Sequence, residues 1–155
     1  MNLKVGLIIL TSAVIPVLNS MIPSDQLTKD LAIQGTWQLV SGVTIEKGKS
    51  TFTDYKKDMK QIKIINGSHF AFFNHDLKLG KDPKPVFVAG GGKYTLKGNE
   101  YTEHLEYCNY REWEDKTFKF TLTMKGDTLI QRGLEKDEKI GVDQEIIEKY
   151  VRLKD

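Results

Sequence analysis

Residues 86–108 read VFVAGGGKYTLKGNEYTEHLEYC. Two features of this stretch decide the fold: three consecutive glycines inside a strand-like run, and a Glu103 that keeps step with Tyr101, Leu105 and Tyr107. Taking Gly98-Asn99 as a two-residue turn pairs Lys97 with Glu100 across a hairpin. That register sets Leu96 opposite Tyr101, Tyr94 opposite Glu103 and Lys93 opposite His104. One face then carries Tyr94, Leu96, Tyr101, Glu103, Leu105 and Tyr107. The other carries Lys93, Thr95, Lys97, Glu100, Thr102, His104 and Glu106, a set suited to solvent. Glu103 therefore belongs to the inner face.

A second hairpin repeats the pattern independently. With Gly126-Asp127 as its turn, Met124 faces Leu129, Leu122 faces Gln131 and Phe120 faces Gly133. Its inner face is Phe118, Phe120, Leu122, Met124, Leu129 and Gln131, against Lys119, Thr121, Thr123 and Arg132 outside. Both inner faces are apolar with one polar interruption. Working outward, strand-like runs lie near 35–46, 59–66, 69–75, 85–96, 100–107, 116–125, 128–134 and 144–153. Turn signals NGS, KDPKP, KGN, KGD and EKDEKIGVD separate them. Eight such runs in series, with no long helical pattern, predict an all-β fold, an up-and-down antiparallel barrel or a sandwich. Gly90-Gly91-Gly92 is read as a bulge or bend that lets a long strand curve. A phosphate-cradling loop would need a helix to follow, and KYTLKG is strand.

The chain of 155 residues is long enough for one domain with a sizeable core. Its formal net charge of +2, with no basic stripe, argues against nucleic acid as partner. The opening MNLKVGLIILTSAVIPVLNS has one early lysine and an apolar run too short to cross a bilayer comfortably. It reads as a cleaved export signal over residues 1–20, which leaves no membrane span in the mature chain. The expected location is the periplasm, the cell envelope or the exterior. Residues 21–34 form a lead-in, in which SDQLTKDLAI suggests a short helical turn, and residues 35–155 form the barrel domain. The single cysteine, Cys108, allows no internal disulfide and reads as a small strand residue.

The order of motifs GTWQLVSG, SHFAFF, AGGGKYTLKGNEYTEHLEY, TFKFTLTMKGDTLIQRG and IIEKYVRLK, from Gly35 to Lys154, resembles the lipocalin-like (calycin) barrels. More narrowly it resembles a lipocalin-like family exported by Bacteroidetes-type bacteria. The resemblance implies a barrel of about eight strands with one closed end and one open mouth. It also implies that the Gly-x-Trp tryptophan, Trp37, packs at the closed end against Arg152 of the last strand, a structural pair. It carries no activity.

An interior pocket is expected from Glu103, Tyr94, Tyr101, Leu105, Tyr107, Gln131 and Phe72, the last with Phe70 by resemblance. Apolar and aromatic walls with a few polar groups are the usual make-up of a small-molecule site. An eight-stranded barrel is either filled by side chains or wide enough for one small ligand. Glu103 is either a satisfied structural group or a ligand contact, since an unpaired interior carboxylate is costly. Of the three histidines, His104 falls outside beside Lys93, and none has metal-ligand spacing. No nucleophile with an adjacent base is evident, so no catalytic residue, metal or cofactor is assigned. A pairing of Glu103 with His69 would need both to face the cavity. The loop NYREWED, with Tyr110 and Trp113, is either a lid over the mouth or an anchor on its rim. The reading is a barrel that binds a small, partly apolar molecule of unknown identity. The alternative is a filled barrel acting through its surface or loops as a protein-interaction or envelope component, and a third reading is an enzyme using Glu103.

Overall fold

The computed structural model describes residues 30–154. The export signal expected over residues 1–20 and residues 21–29 of the lead-in lie outside the described residues. Nine strands follow: β1 (Gly35–Glu46), β2 (Lys49–Asp54), β3 (Met59–Ile65), β4 (His69–Asp76), β5 (Phe87–Lys97), β6 (Glu100–Cys108), β7 (Lys116–Lys125), β8 (Thr128–Asp137) and β9 (Val142–Arg152). One 3₁₀ turn, Arg111–Trp113, joins β6 to β7. Among the described residues no helix is long and apolar enough to cross a membrane.

Each neighbouring pair from β3 to β9 is antiparallel, and β9 pairs back onto β1, which pairs with β3. Eight strands therefore close into a barrel, an architecture compatible with a lipocalin-like fold. β2 was not among the strands read from the sequence. Its residues KSTFTD are nearly all exposed, so no apolar alternation marks it. It continues the line of β3 after a break at residues 55–58, and the two share the same edge of β1. Where β1 changes partner, Val40 bulges out of the ladder to β9. The expected long turn before the last strand shrinks to residues 138–141, because β8 and β9 extend toward each other.

Both hairpin registers hold: Tyr94 pairs with Glu103, and Leu122 pairs with Gln131. Phe70 is buried and Phe73 is exposed, so Phe70 and Phe72 share the inner face. The glycine triplet sits at a register shift, as a bulge reading requires, but its role differs from the expected one. None of the three glycines has positive φ. What they supply is room. A Cβ on Gly92 would collide with the His104 carbonyl oxygen, one on Gly91 would lie 2.6 Å from the Phe70 oxygen, and one on Gly90 2.7 Å from the Phe72 ring. The extra residue is Glu106 on β6: Gly92 pairs with Leu105 and Gly91 with Tyr107. Past that residue the alternation inverts. Tyr107 is accordingly 68% exposed and Cys108 turns inward, which corrects the inner-face position expected of Tyr107.

The closed end is plugged from the lead-in. The described part of the expected helical turn, Asp30 to Ile33, carries no helix; it runs across the barrel floor. Ile33 is buried, and its carbonyl accepts the Trp37 indole N–H at 2.8 Å. Asp30 accepts the Gly98 amide at 2.6 Å, pinning the lead-in to the β5–β6 turn. The Arg152 guanidinium lies over the Trp37 ring, 4.0 Å from its centroid, and donates to the carbonyls of Gln34 and Ala32 at 2.5 and 2.9 Å. Gly35 has φ of 137° and sits directly against Arg152 Nη1, so the glycine of Gly-x-Trp is required twice over. Indole, guanidinium and backbone carbonyls thus satisfy one another.

Candidate functional site

Above this floor the interior is not filled by side chains. A cavity of about 340 Å³ opens toward the mouth, within the range of small-molecule sites. Its apolar wall is Phe72, Val88, Leu105, Phe118, Phe120 and Ile146, all on strand positions of inward parity. Tyr110 and Trp113 lean in from the β6–β7 loop. Trp113 packs on Phe118 with ring centroids 5.9 Å apart, and Glu114 holds the loop by accepting the Cys108 amide at 3.1 Å. Trp113 therefore anchors on the rim, and both aromatics line the cavity.

The polar part is unusual for so small a barrel. Lys63 is 3% exposed and donates to Glu103 at 2.6 Å and to Gln131 at 2.9 Å. The rings of Tyr150, Phe70 and Tyr101 surround its ammonium, with centroids 5.4, 5.6 and 5.8 Å away. A buried ammonium is tolerated when a carboxylate, an amide oxygen and aromatic faces replace water. Two further carboxyls, Glu135 and Glu148, line the same space. Glu135 accepts from Gln144 at 2.7 Å, and Glu148 accepts from the Tyr150 hydroxyl at 2.7 Å. Burial, reinforced by the Glu148 and Glu103 carboxylates, pushes Glu135 up to about 7 against the opposing Gln144 hydrogen bond. Burial likewise raises Glu148, although Lys63 opposes it, and raises the Tyr150 phenol.

The residues expected to form the pocket separate into three groups. Glu103, Leu105, Gln131 and Phe72 line the cavity. Tyr101 is buried with its hydroxyl unpartnered, and Tyr94 packs on it at 5.3 Å while donating to the Asn66 carbonyl at the closed end. Tyr107 faces outward beyond the bulge. Tyr94, opposite Glu103 across the hairpin, does not bond to it; Lys63 does. His69 is exposed and bonds to Ser68, so the acid–base pair with Glu103 does not form. His104 is outside, within reach of Thr117 and Asp115. Cys108 lines the cavity as a thiol that burial pushes up, a weak nucleophile. Among the described residues no three metal-ligating side chains cluster.

Lys63, Glu135 and Glu148 were missed by the reading of the sequence. In MKQIKII the apolar alternation is carried by Ile62 and Ile64, which suggests the wrong parity for Lys63. Glu135 and Glu148 did leave a signal: each keeps step with known inner residues, Gln131 and Gly133 in one case, Ile146 and Tyr150 in the other. Neither the protein-family models nor the curated proteins compared with the chain give a match.

Proposed function

We propose that the barrel binds one small, partly apolar molecule in its interior, entering through the mouth rimmed by Tyr110 and Trp113. The cavity carries this reading: about 340 Å³ of interior space with an apolar wall on one side and hydrogen-bonding groups on the other. A barrel selected only for its surface would gain stability by filling that space, since a void forfeits contacts. The apolar body would lie against Leu105, Phe118 and Ile146, and its polar end would meet the carboxyls. Export fits the same reading. The opening residues 1–20 have the pattern of a cleaved signal, and a lipocalin-like carrier of the exported bacterial type suits a molecule handled outside the cytoplasm.

Saturable fluorescence enhancement of 1-aminoanthracene, a neutral three-ring probe, tests the proposal. One site per barrel is expected. Val88→Trp, placed in the cavity wall, should abolish the signal while the variant still unfolds cooperatively. Absence of saturable binding by the wild type, or binding untouched by Val88→Trp, contradicts the proposal. The mass of the protein recovered from its own host checks export: loss of about twenty N-terminal residues is expected.

A further inference from the structure

The cavity lining carries three carboxyls against one ammonium, and that imbalance names a class of ligand. Lys63 and Glu103 neutralise each other at 2.6 Å, and the ammonium spends a second donor on Gln131. Glu135 and Glu148 have no cationic partner within ion-pair distance among the described residues. Each receives one hydrogen bond, on Oε2, from a neutral side chain, which leaves the second carboxyl oxygen without a hydrogen-bond partner among the described residues. We infer that the occupant is an organic cation, a protonated amine on an apolar body, whose charge is met by Glu135 and Glu148. This rests on the cavity being a binding site.

Three physical arguments support the cation. Burying a carboxyl without a counter-charge is costly, so two of them around one space disfavour any occupant that leaves them unneutralised. The walls are aromatic, with Phe72, Trp113, Phe118 and Phe120 presented to the cavity, and ring faces attract cations. The protein also shows how it solvates an ammonium in this interior, because Lys63 sits among three rings, a carboxylate and an amide. An anionic occupant would face three carboxyls with the lone lysine already paired. A neutral alcohol could accept or donate one hydrogen bond but would leave the charge as it is.

The same groups make binding sensitive to pH. Those facing the two carboxyls are Lys63 on β3, Glu103 on β6, Tyr150 on β9 and Tyr55 in the break between β2 and β3. Near the mouth, Lys116 of β7 is taken up by Asp137 of β8 at 2.5 Å. With Glu135 at about 7, its carboxyl is ionised at pH 8 and largely protonated at pH 6, so a cation binds more tightly as the pH rises.

The test displaces 1-aminoanthracene from the intact barrel with three probes of matched body: 2-phenylethylamine, 2-phenylethanol and 3-phenylpropanoate. At pH 8 the amine should displace at a concentration at least about tenfold lower than the alcohol, with the carboxylate weakest. At pH 6 the gap should narrow to about threefold or less. Glu135→Gln and Glu148→Gln should each reduce the amine's advantage over the alcohol. If Glu148→Gln fails to fold, Glu135→Gln, nearer the mouth, carries the comparison. Equal displacement by alcohol or carboxylate, or an advantage that survives the substitutions, overturns the inference while leaving the cavity a binding site. Failure of the wild type to bind the fluorophore overturns both.

Discussion

The two ends of the barrel are built from the same alternating strands and solve opposite problems. At the closed end, the polar side chains that hold the plug bond to backbone groups, and the buried Tyr101 hydroxyl is the exception. Trp37 donates to Ile33, Arg152 stacks on the indole and caps two carbonyls, and Asp30 ties the lead-in to the β5–β6 turn. At the mouth end, the inward positions hold space and carboxyls instead, and Glu135 and Glu148 are satisfied only in part. If the cavity binds a ligand as proposed, the contrast assigns stability and binding to different halves of one sheet. The Lys63–Glu103–Gln131 cluster lies between them and belongs to both.

The sharpest way to break this division is to remove the plug. Trp37→Ala deletes a fully buried indole, its hydrogen bond to Ile33 and the surface on which Arg152 rests. The expected loss is about 5 kcal/mol in urea-induced unfolding. A loss under about 2 kcal/mol would mean that the closed end is not where stability is concentrated. The middle layer comes next. Lys63→Met leaves Glu103 buried without its cation and should cost about 3–5 kcal/mol. Adding Glu103→Gln should restore a large part of that, because the buried charge then disappears with its partner. Additive losses in the double variant would show that the pair is not coupled.

How much of this was legible in the sequence follows from the same contrast. Eight of the nine strands and both hairpin registers were legible because apolar alternation and short glycine turns fix them locally, whereas the Trp37–Arg152 contact came only from the resemblance to lipocalin-like barrels. Glu103 and Gln131 stood out as polar interruptions of an otherwise apolar face. Lys63 was hidden because isoleucines occupy the opposite parity: Ile62 and Ile64 point outward, and Ile64 is 41% exposed. Tyr107 was misplaced because the parity of β6 inverts at Glu106, and a bulge depends on the backbone approach of Gly92 to His104, which no local pattern reports. The cavity itself depends on volumes summed around eight strands, which no single hairpin contains.

The mouth half is sharpened by pH. For Glu135 the folded value of about 7 lies above the ordinary value of 4.5, so the folded state holds the proton more tightly. The sign follows: stability from this group is complete below about pH 4.5 and is lost as pH rises through 7. Its size is on the order of 3 kcal/mol, and Glu148 acts in the same direction. Asp127 and Asp137, held below their usual range by Lys154 and Lys116, act at lower pH and leave this window clear. The midpoint of urea unfolding should therefore fall between pH 5 and pH 8 for the wild type and fall less for Glu135→Gln. An unchanged pH slope in that variant would remove Glu135 from the account.

The smallest effect tests the bulge that separates inner from outer wall. If β6 kept its alternation, Tyr107 would be an interior aromatic, and its truncation would cost about 3 kcal/mol or more. With Glu106 displaced from the ladder, Tyr107 stands on the outer surface and Cys108 takes the inner place. Tyr107→Ser should then change stability by less than about 0.5 kcal/mol and leave displacement of the fluorophore untouched. Cys108→Trp, entering the cavity from the next residue along, should weaken fluorophore binding. One position thus separates indifference from obstruction. The reverse pattern would mean that β6 runs straight through Glu106 and that the glycines permit a bend without a bulge.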